Sequence, residues 1–140
     1  MTRLSIKRLD PSATLPKRHS EHDAGIDIYT NETYVLKAGE THAFSTGVAA
    51  EFEPGYVVLI WDRSSMGAKG VHAFGGVIDA GYRGEWKILL HNGTAGSIEI
   101  HKGDRIAQAL LQRFEPADIG EVTELGSTGR GDKGFGSSGR

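Results

Sequence analysis

The chain has no cysteine, only four prolines, a near balance of 16 basic against 18 acidic side chains, and no apolar run of membrane-spanning length. Each shortage removes a class of protein. Without thiols there is neither a disulfide framework nor a thiolate metal site, which agrees with a reducing compartment. A formal charge of -2 supplies no positive field to gather a polyanion and removes the electrostatic argument for non-specific nucleic-acid binding. Met1 to Asp10 alternates polar and apolar residues and lacks the apolar stretch of a signal peptide or membrane span. The expectation is a cytoplasmic protein with neither nucleic acid nor membrane as partner. No long amphipathic helical pattern exists either, and 140 residues suit a single domain.

Glycine is plentiful instead: 20 residues, about twice the usual share of ~7%. Most of these glycines punctuate the chain as turns, but six of the fifteen residues from Gly126 to Arg140 are glycine. Phe135 is the one large apolar side chain there, too little to order the segment by burial, so 126–140 reads as a flexible arm after a 1–125 domain.

Leu4, Ile6 and Arg8, and again Ile98 to Ile100, alternate with the period of a strand, while Tyr56 to Trp61 is a continuous apolar run of strand length. Thr41 to Phe52 and Trp86 to His91 are rich in strand-forming residues. Ile106 to Phe114 suits a strand or a short helix, with strand preferred. Turn signals at Asn31, Gly39, Pro54-Gly55, Gly75-Gly76, Asn92-Gly93, Gly103 and Pro116 recur at sandwich or barrel spacing. The fold class is all-β. Ser64 to Lys69 is the one candidate for a helical turn or two, with Ser64 as its cap.

Five clusters carry chemistry. Asp23-Ala24-Gly25-Ile26-Asp27 sets two carboxylates around a turn that enters a strand. Arg63-Ser64-Ser65-Met66-Gly67-Ala68-Lys69-Gly70 follows the buried run and offers a guanidinium, hydroxyls and backbone N–H groups to an anion. Gly75 to Glu85 reads as a hairpin whose glycines let backbone approach a flat ring, with Asp79 at the tip placed to deprotonate a water. In Gly103 to Gln108 the Gln108 amide interrupts an apolar run and is free to donate to phosphate. The arm holds Arg130, Lys133, Ser137, Ser138 and Arg140 for phosphate oxygens and Phe135 for stacking on a base. Its Gly129-x-Gly131-x-x-Gly134 matches a dinucleotide fingerprint only formally, because no strand precedes it and no helix follows. His19 and His22, the closest-spaced histidine pair, read as a solvated loop rather than metal ligands.

All five clusters, in this order from Asp23 to Arg140, resemble the motifs of the trimeric dUTPase family, above all Gly76-Val77-Ile78-Asp79-x-x-Tyr82-Arg83-Gly84 and Arg130-Gly131-x-x-Gly134-Phe135-Gly136-Ser137-Ser138-Gly139. The resemblance implies a distorted β-barrel or jelly-roll, a homotrimer with active sites between subunits, and hydrolysis of dUTP to dUMP and pyrophosphate. It also implies Mg²⁺ carried on the substrate phosphates, with no protein metal ligands. Asp79 is the implied base, supported by Asp27 and Gln108. Arg63, Ser64, Ser65, Gly67 and Lys87 belong to the substrate-binding set, and Gly76, Val77 and Ile78, in a Val71 to Ile78 hairpin, read uracil. Tyr82 packs on the deoxyribose and excludes a 2′-hydroxyl. Arg130, Phe135, Gly136, Ser137 and Ser138 close a neighbour's site.

Two positions depart from the family pattern: Gly81 where an acid is frequent, and Asp62 where proline is frequent. Gly81 is expected to alter the turn without abolishing activity, and Asp62 to weaken the phosphate field slightly. The competing functions are dCTP deamination on the same fold, a catalytically silent nucleotide-binding protein, and a plain β-sandwich interaction module.

Overall fold

The computed structural model describes residues 2–134. Eleven strands and one short helix follow in the order β1 Ser5–Arg8, β2 Ile26–Tyr29, β3 Tyr34–Leu36, β4 Thr41–Ser45, β5 Val48–Glu51, β6 Tyr56–Trp61, α1 Ser64–Gly67, β7 Val71–Phe74, β8 Val77–Asp79, β9 Lys87–Asn92, β10 Ile98–Ile100 and β11 Arg105–Arg113. All pairings are antiparallel. They form a four-stranded sheet ordered β2-β11-β6-β8, a three-stranded sheet ordered β4-β9-β7, and the two-stranded ribbons β1-β5 and β10-β3. Between them lies one core centred on Trp86, Phe44, Ile28, Leu36, Ile88 and Leu90, each no more than 1% exposed.

The expected strands are present, and the Ile106 to Phe114 stretch resolves as strand as far as Arg113, within β11. The Thr41 to Phe52 stretch divides in two because Gly47 adopts φ +67 and packs against Ala13 and Asn31, where a Cβ would lie 2.8 Å from the Ala13 methyl. That left-handed turn starts a new ribbon with β1. The helical turn begins one residue earlier than expected: Arg63, with extended φ/ψ of -80 and 138, occupies the cap position and makes no side-chain cap bond, so Ser64 is already helical.

The hairpins expected at Val71 to Ile78 and Gly75 to Glu85 are not formed. β7 pairs with β9 and β8 pairs with β6, so the Gly75-Gly76 turn carries the chain from one sheet to the other, and β8 and β9 do not pair. Both glycines are left-handed, at φ +72 and +104. Gly76 passes so close to β6 that a Cβ would sit 2.9 Å from the Ile60 carbonyl oxygen, and its own carbonyl accepts the Ile60 N–H at 2.7 Å. A cleft of about 270 Å³ opens where a β8-β9 ladder would have been, lined among others by Phe74, Gly76, Asp79, Tyr82 and Lys87.

Candidate active site

Antiparallel register decides which side chains share the outer face of the four-stranded sheet, because directly opposed residues point the same way. Asp27, Gln108 and Trp61 form one row, Leu110, Leu59 and Val77 the next, and Gln112, Val57 and Asp79 a third. The inner face carries Ile28, Ala107, Ala109 and Val58, all buried. Polar chemistry therefore occupies two rows separated by an apolar one.

The first row is a basic, anion-ready corner. Arg63 Nε lies 3.3 Å from Asp27 Oδ1, Arg105 Nη1 lies 3.3 Å from Asp27 Oδ2, and Arg63 Nη1 donates to the Arg105 carbonyl at 3.2 Å and to Ser65 Oγ at 3.3 Å. One half-buried carboxylate thus fixes two guanidiniums beside the serines of α1, which keeps their remaining N–H donors organised for an anion. Gln108 is fixed by donating from Nε2 to the Asp62 carbonyl at 2.8 Å. Gly25 lies against this amide, and any Cβ there would overlap Gln108 Oε1. Arg105 is a residue of this corner that sequence reasoning misses; its place directly after the Gly103-Asp104 turn is the signal that marks it.

The third row holds Asp79, exposed at the end of β8 and at the rim of the cleft. Its carbonyl accepts the Tyr82 N–H at 3.0 Å, closing a tight turn, and the Tyr82 hydroxyl donates to the Glu85 carbonyl at 3.0 Å, which lays the ring over Gly84. A Cβ at Gly84 would overlap the phenol, so this glycine makes room for the ring. Gly81 is outside the left-handed region and nothing lies within 4 Å of a Cβ built on it, so the turn accepts a side chain there. Val77, Ile78, Lys87 and Gly76 line the same cleft; its Gly76 end lies beside Ile60, toward Arg63, Ser64, Ser65, Gly67 and Gln108, while Asp79 lies beside Val57 at the other end of β6. Four residues along β6 and two interstrand spacings separate the Cα atoms of Gln108 and Asp79 by about 16 Å. A single chain presents the expected constellation as two halves. Arg130 is described, donating from Nε to the Lys133 carbonyl at 2.9 Å. Phe135, Gly136, Ser137 and Ser138 lie outside the described residues.

Glu85 anchors the Asp79 turn. Its carboxylate accepts the Ser45 hydroxyl and the Gly47 N–H, the latter at 2.8 Å. Burial pushes its pKa up, but the bonds from Ser45 and Gly47, aided by Lys87, outweigh burial and hold it below the ordinary value. A depressed carboxylate contributes stability that is complete above the unfolded-state pKa of about 4.3 and is lost as pH falls through the folded value. Urea unfolding between pH 7 and pH 3 is expected to show a smaller acid loss for Glu85→Gln than for the parent chain; equal losses would remove Glu85 as a contributor.

Asp62 was expected to act on the phosphate field. The structure turns its carboxylate to β7 instead: Oδ1 accepts the Ala73 N–H at 2.5 Å and Oδ2 pairs with His72 Nδ1 at 2.9 Å. It ties the end of β6 to the strand that leads into the Gly75-Gly76 turn. Asp62→Ala leaves a half-buried N–H unpaired and is expected to destabilise by about 1 kcal/mol, with Asp62→Asn largely restoring stability through its amide oxygen. Identical denaturant midpoints for Asp62→Ala and the parent would contradict this.

Sequence comparison decides the family. A dUTPase family model matches residues 11–139. The chain belongs to the dUTPase family. Relatives of this dUTPase-family chain include the deoxyuridine 5'-triphosphate nucleotidohydrolases of Nocardia farcinica, 44% identical over 97% of this chain and 85% of that protein, and of Mycolicibacterium gilvum, 44% identical over 99% and 96%. Among solved structures, the Staphylococcus bacteriophage 80alpha dUTPase with dUPNHPP superposes with a TM-score of 0.91 at 34% identity, covering 99% of both chains. A phage phi11 dUTPase mutant, described as revealing coordination of a structural Mg(II) ion, superposes at 0.83 with 28% identity over 89% of this chain and 99% of that one. The all-β architecture is thus that of the dUTPases, as expected.

Proposed function

We propose that the chain hydrolyses dUTP to dUMP and pyrophosphate, and that a homotrimer assembles the active site. The observation that carries the reading is the division of the outer sheet face: an exposed carboxylate at a cleft, Asp79, and an arginine-serine-amide corner, held about 16 Å apart by an apolar row. Trp61 and Val77 are 55% and 69% exposed in neighbouring rows of that face, which offers apolar surface to a partner. A head-to-tail contact that buries it brings Asp79 of one copy toward Arg63 and Gln108 of the next, and three such contacts close a ring when each turns the next copy by a third of a turn. Ile119, Val122 and Leu125 follow the last strand, fully or largely exposed and outside any strand or helix, and suit a segment that crosses to a neighbour.

In the assembled site Asp79 accepts a proton from water as its oxygen attacks the α-phosphorus, and pyrophosphate departs. The guanidinium of Arg63, the Ser64 and Ser65 hydroxyls, the Gly67 backbone and Gln108 bind phosphate oxygens as charge shifts toward the leaving group. Asp27 orients Arg63 and Arg105. Tyr82 stands against the deoxyribose where a 2′-hydroxyl would collide, and the backbone of Gly76, Val77 and Ile78 reads the base edge. Lys87 joins the substrate set from the cleft wall. Arg130, Phe135, Gly136, Ser137 and Ser138 close over a neighbour's nucleotide.

Among the described residues no three His, Asp or Glu side chains gather as a metal cage, and both oxygens of Asp27 are engaged by arginines. That donor set fits Mg²⁺ held chiefly by substrate phosphates and water, where it screens their charge. The cellular role that follows is keeping uracil out of DNA and supplying dUMP for dTMP synthesis, in the cytoplasm.

The test is pyrophosphate release with Mg²⁺ from dUTP, UTP, dTTP and dCTP. Turnover confined to dUTP is the expected result. Ammonia from dCTP would assign deamination instead, and dUTP binding without pyrophosphate release would assign a silent binding protein.

A further inference from the structure

Phe74 was given no part by sequence, and its placement is unusual for a phenylalanine. Strand β7 alternates, so Val71 is sealed in the core at 1% exposure while Phe74 points outward and is 49% exposed. It ends the strand immediately before the two left-handed glycines and lines the 270 Å³ cleft together with Gly76, Asp79 and Tyr82. The ring does not hang free. His91 stacks on it at a centroid distance of 5.1 Å and an interplanar angle of 17°, and His91 Nδ1 is itself held 3.0 Å from Thr41 Oγ1. Leu89, opposite Phe74 in the register, flanks it, and a Cβ at Gly75 would lie 3.6 Å from Leu89 Cδ1. A half-exposed aromatic ring, oriented from behind and set at the mouth of a cleft of nucleobase scale, is a pre-organised surface for a flat ligand.

We propose that Phe74, backed by His91, is a wall of the base subsite and contacts the pyrimidine ring of the nucleotide. The inference rests on the dUTP reading of the cleft and adds a side chain of the cleft wall to the backbone groups of Gly76, Val77 and Ile78 that read the base edge. Aromatic contact with a base is sequence-tolerant and strong enough to change binding tenfold when truncated. Phe74 therefore acts on affinity for base-carrying ligands; its ring offers no polar group to a phosphate, although its strand is tied through Ala73 to Asp62 beside Arg63.

The test separates ligands with and without a base, using the full-length assembled protein. For Phe74→Ala, calorimetric Kd for dUMP and KM for dUTP are expected to rise about tenfold, with kcat within about twofold and the inhibition constant of pyrophosphate unchanged. Phe74→Tyr is expected to retain parental values. The inference is overturned if Phe74→Ala binds dUMP within twofold of the parent, or if pyrophosphate weakens in parallel. It is also overturned if light scattering shows that the variant loses its assembly, which would place the ring between copies of the chain. Failure of the parent chain to release pyrophosphate from dUTP sinks the functional reading instead, and dUMP binding still reports on Phe74 in that case.

Discussion

Asp79→Asn is expected to lower kcat for dUTP by about 10³-fold or more while leaving dUMP binding and the unfolding midpoint near parental values. A positioned carboxylate base contributes ~10²–10⁴ to rate, and the amide cannot take the proton. The turn itself is preserved, because it is the Asp79 backbone carbonyl that accepts the Tyr82 N–H. The carboxylate is exposed in the single chain, so exchanging it removes no core contact. Pyrophosphate release under saturating dUTP measures the effect. A loss smaller than tenfold would assign the base to another group.

Ending the chain at Leu125 is expected to reduce kcat/KM for dUTP by about 10²-fold or more, since closure over a bound substrate positions reacting groups and excludes water. The deleted residues include Arg130, Phe135, Ser137 and Ser138. The last strand ends at Arg113, so the core strands remain whole in the shortened chain. Equal turnover by both forms would remove the arm from the mechanism. Size-exclusion and light scattering on the same samples separate loss of closure from loss of assembly.

The strand content was legible because its signals are local. Tyr56 to Trp61 reads as one unbroken apolar run, and the structure gives the reason: Val58 packs inward while Val57, Leu59 and Trp61 form an apolar outer face. The two expected hairpins that do not form gave way to long-range pairing. Gly75-Gly76 announces a turn, but nothing near it records that β7 joins β9 and β8 joins β6. β3 is three residues long, and its pairing with β10 joins residues more than sixty positions apart.

Within the site, residue identity was legible and spatial grouping was not. Asp79, Gln108 and Arg63 stood out in their clusters, but register alone shows that one chain separates them across the apolar row of Leu110, Leu59 and Val77. Asp62 was visible as a departure from the family pattern, whereas its partner N–H belongs to Ala73, eleven residues on. Phe74 gave no signal because an aromatic at a strand end ordinarily belongs to the core; only its outward turn and the His91 stack mark it.

The most direct measurement of the central claim is hydrolysis of dUTP in ¹⁸O-enriched water, followed by mass spectrometry of both products. Attack on the α-phosphorus by the water that Asp79 deprotonates places one ¹⁸O in dUMP and none in pyrophosphate. Label in pyrophosphate would show attack at the β-phosphorus and contradict the arrangement of Asp79, Tyr82 and the cleft described above.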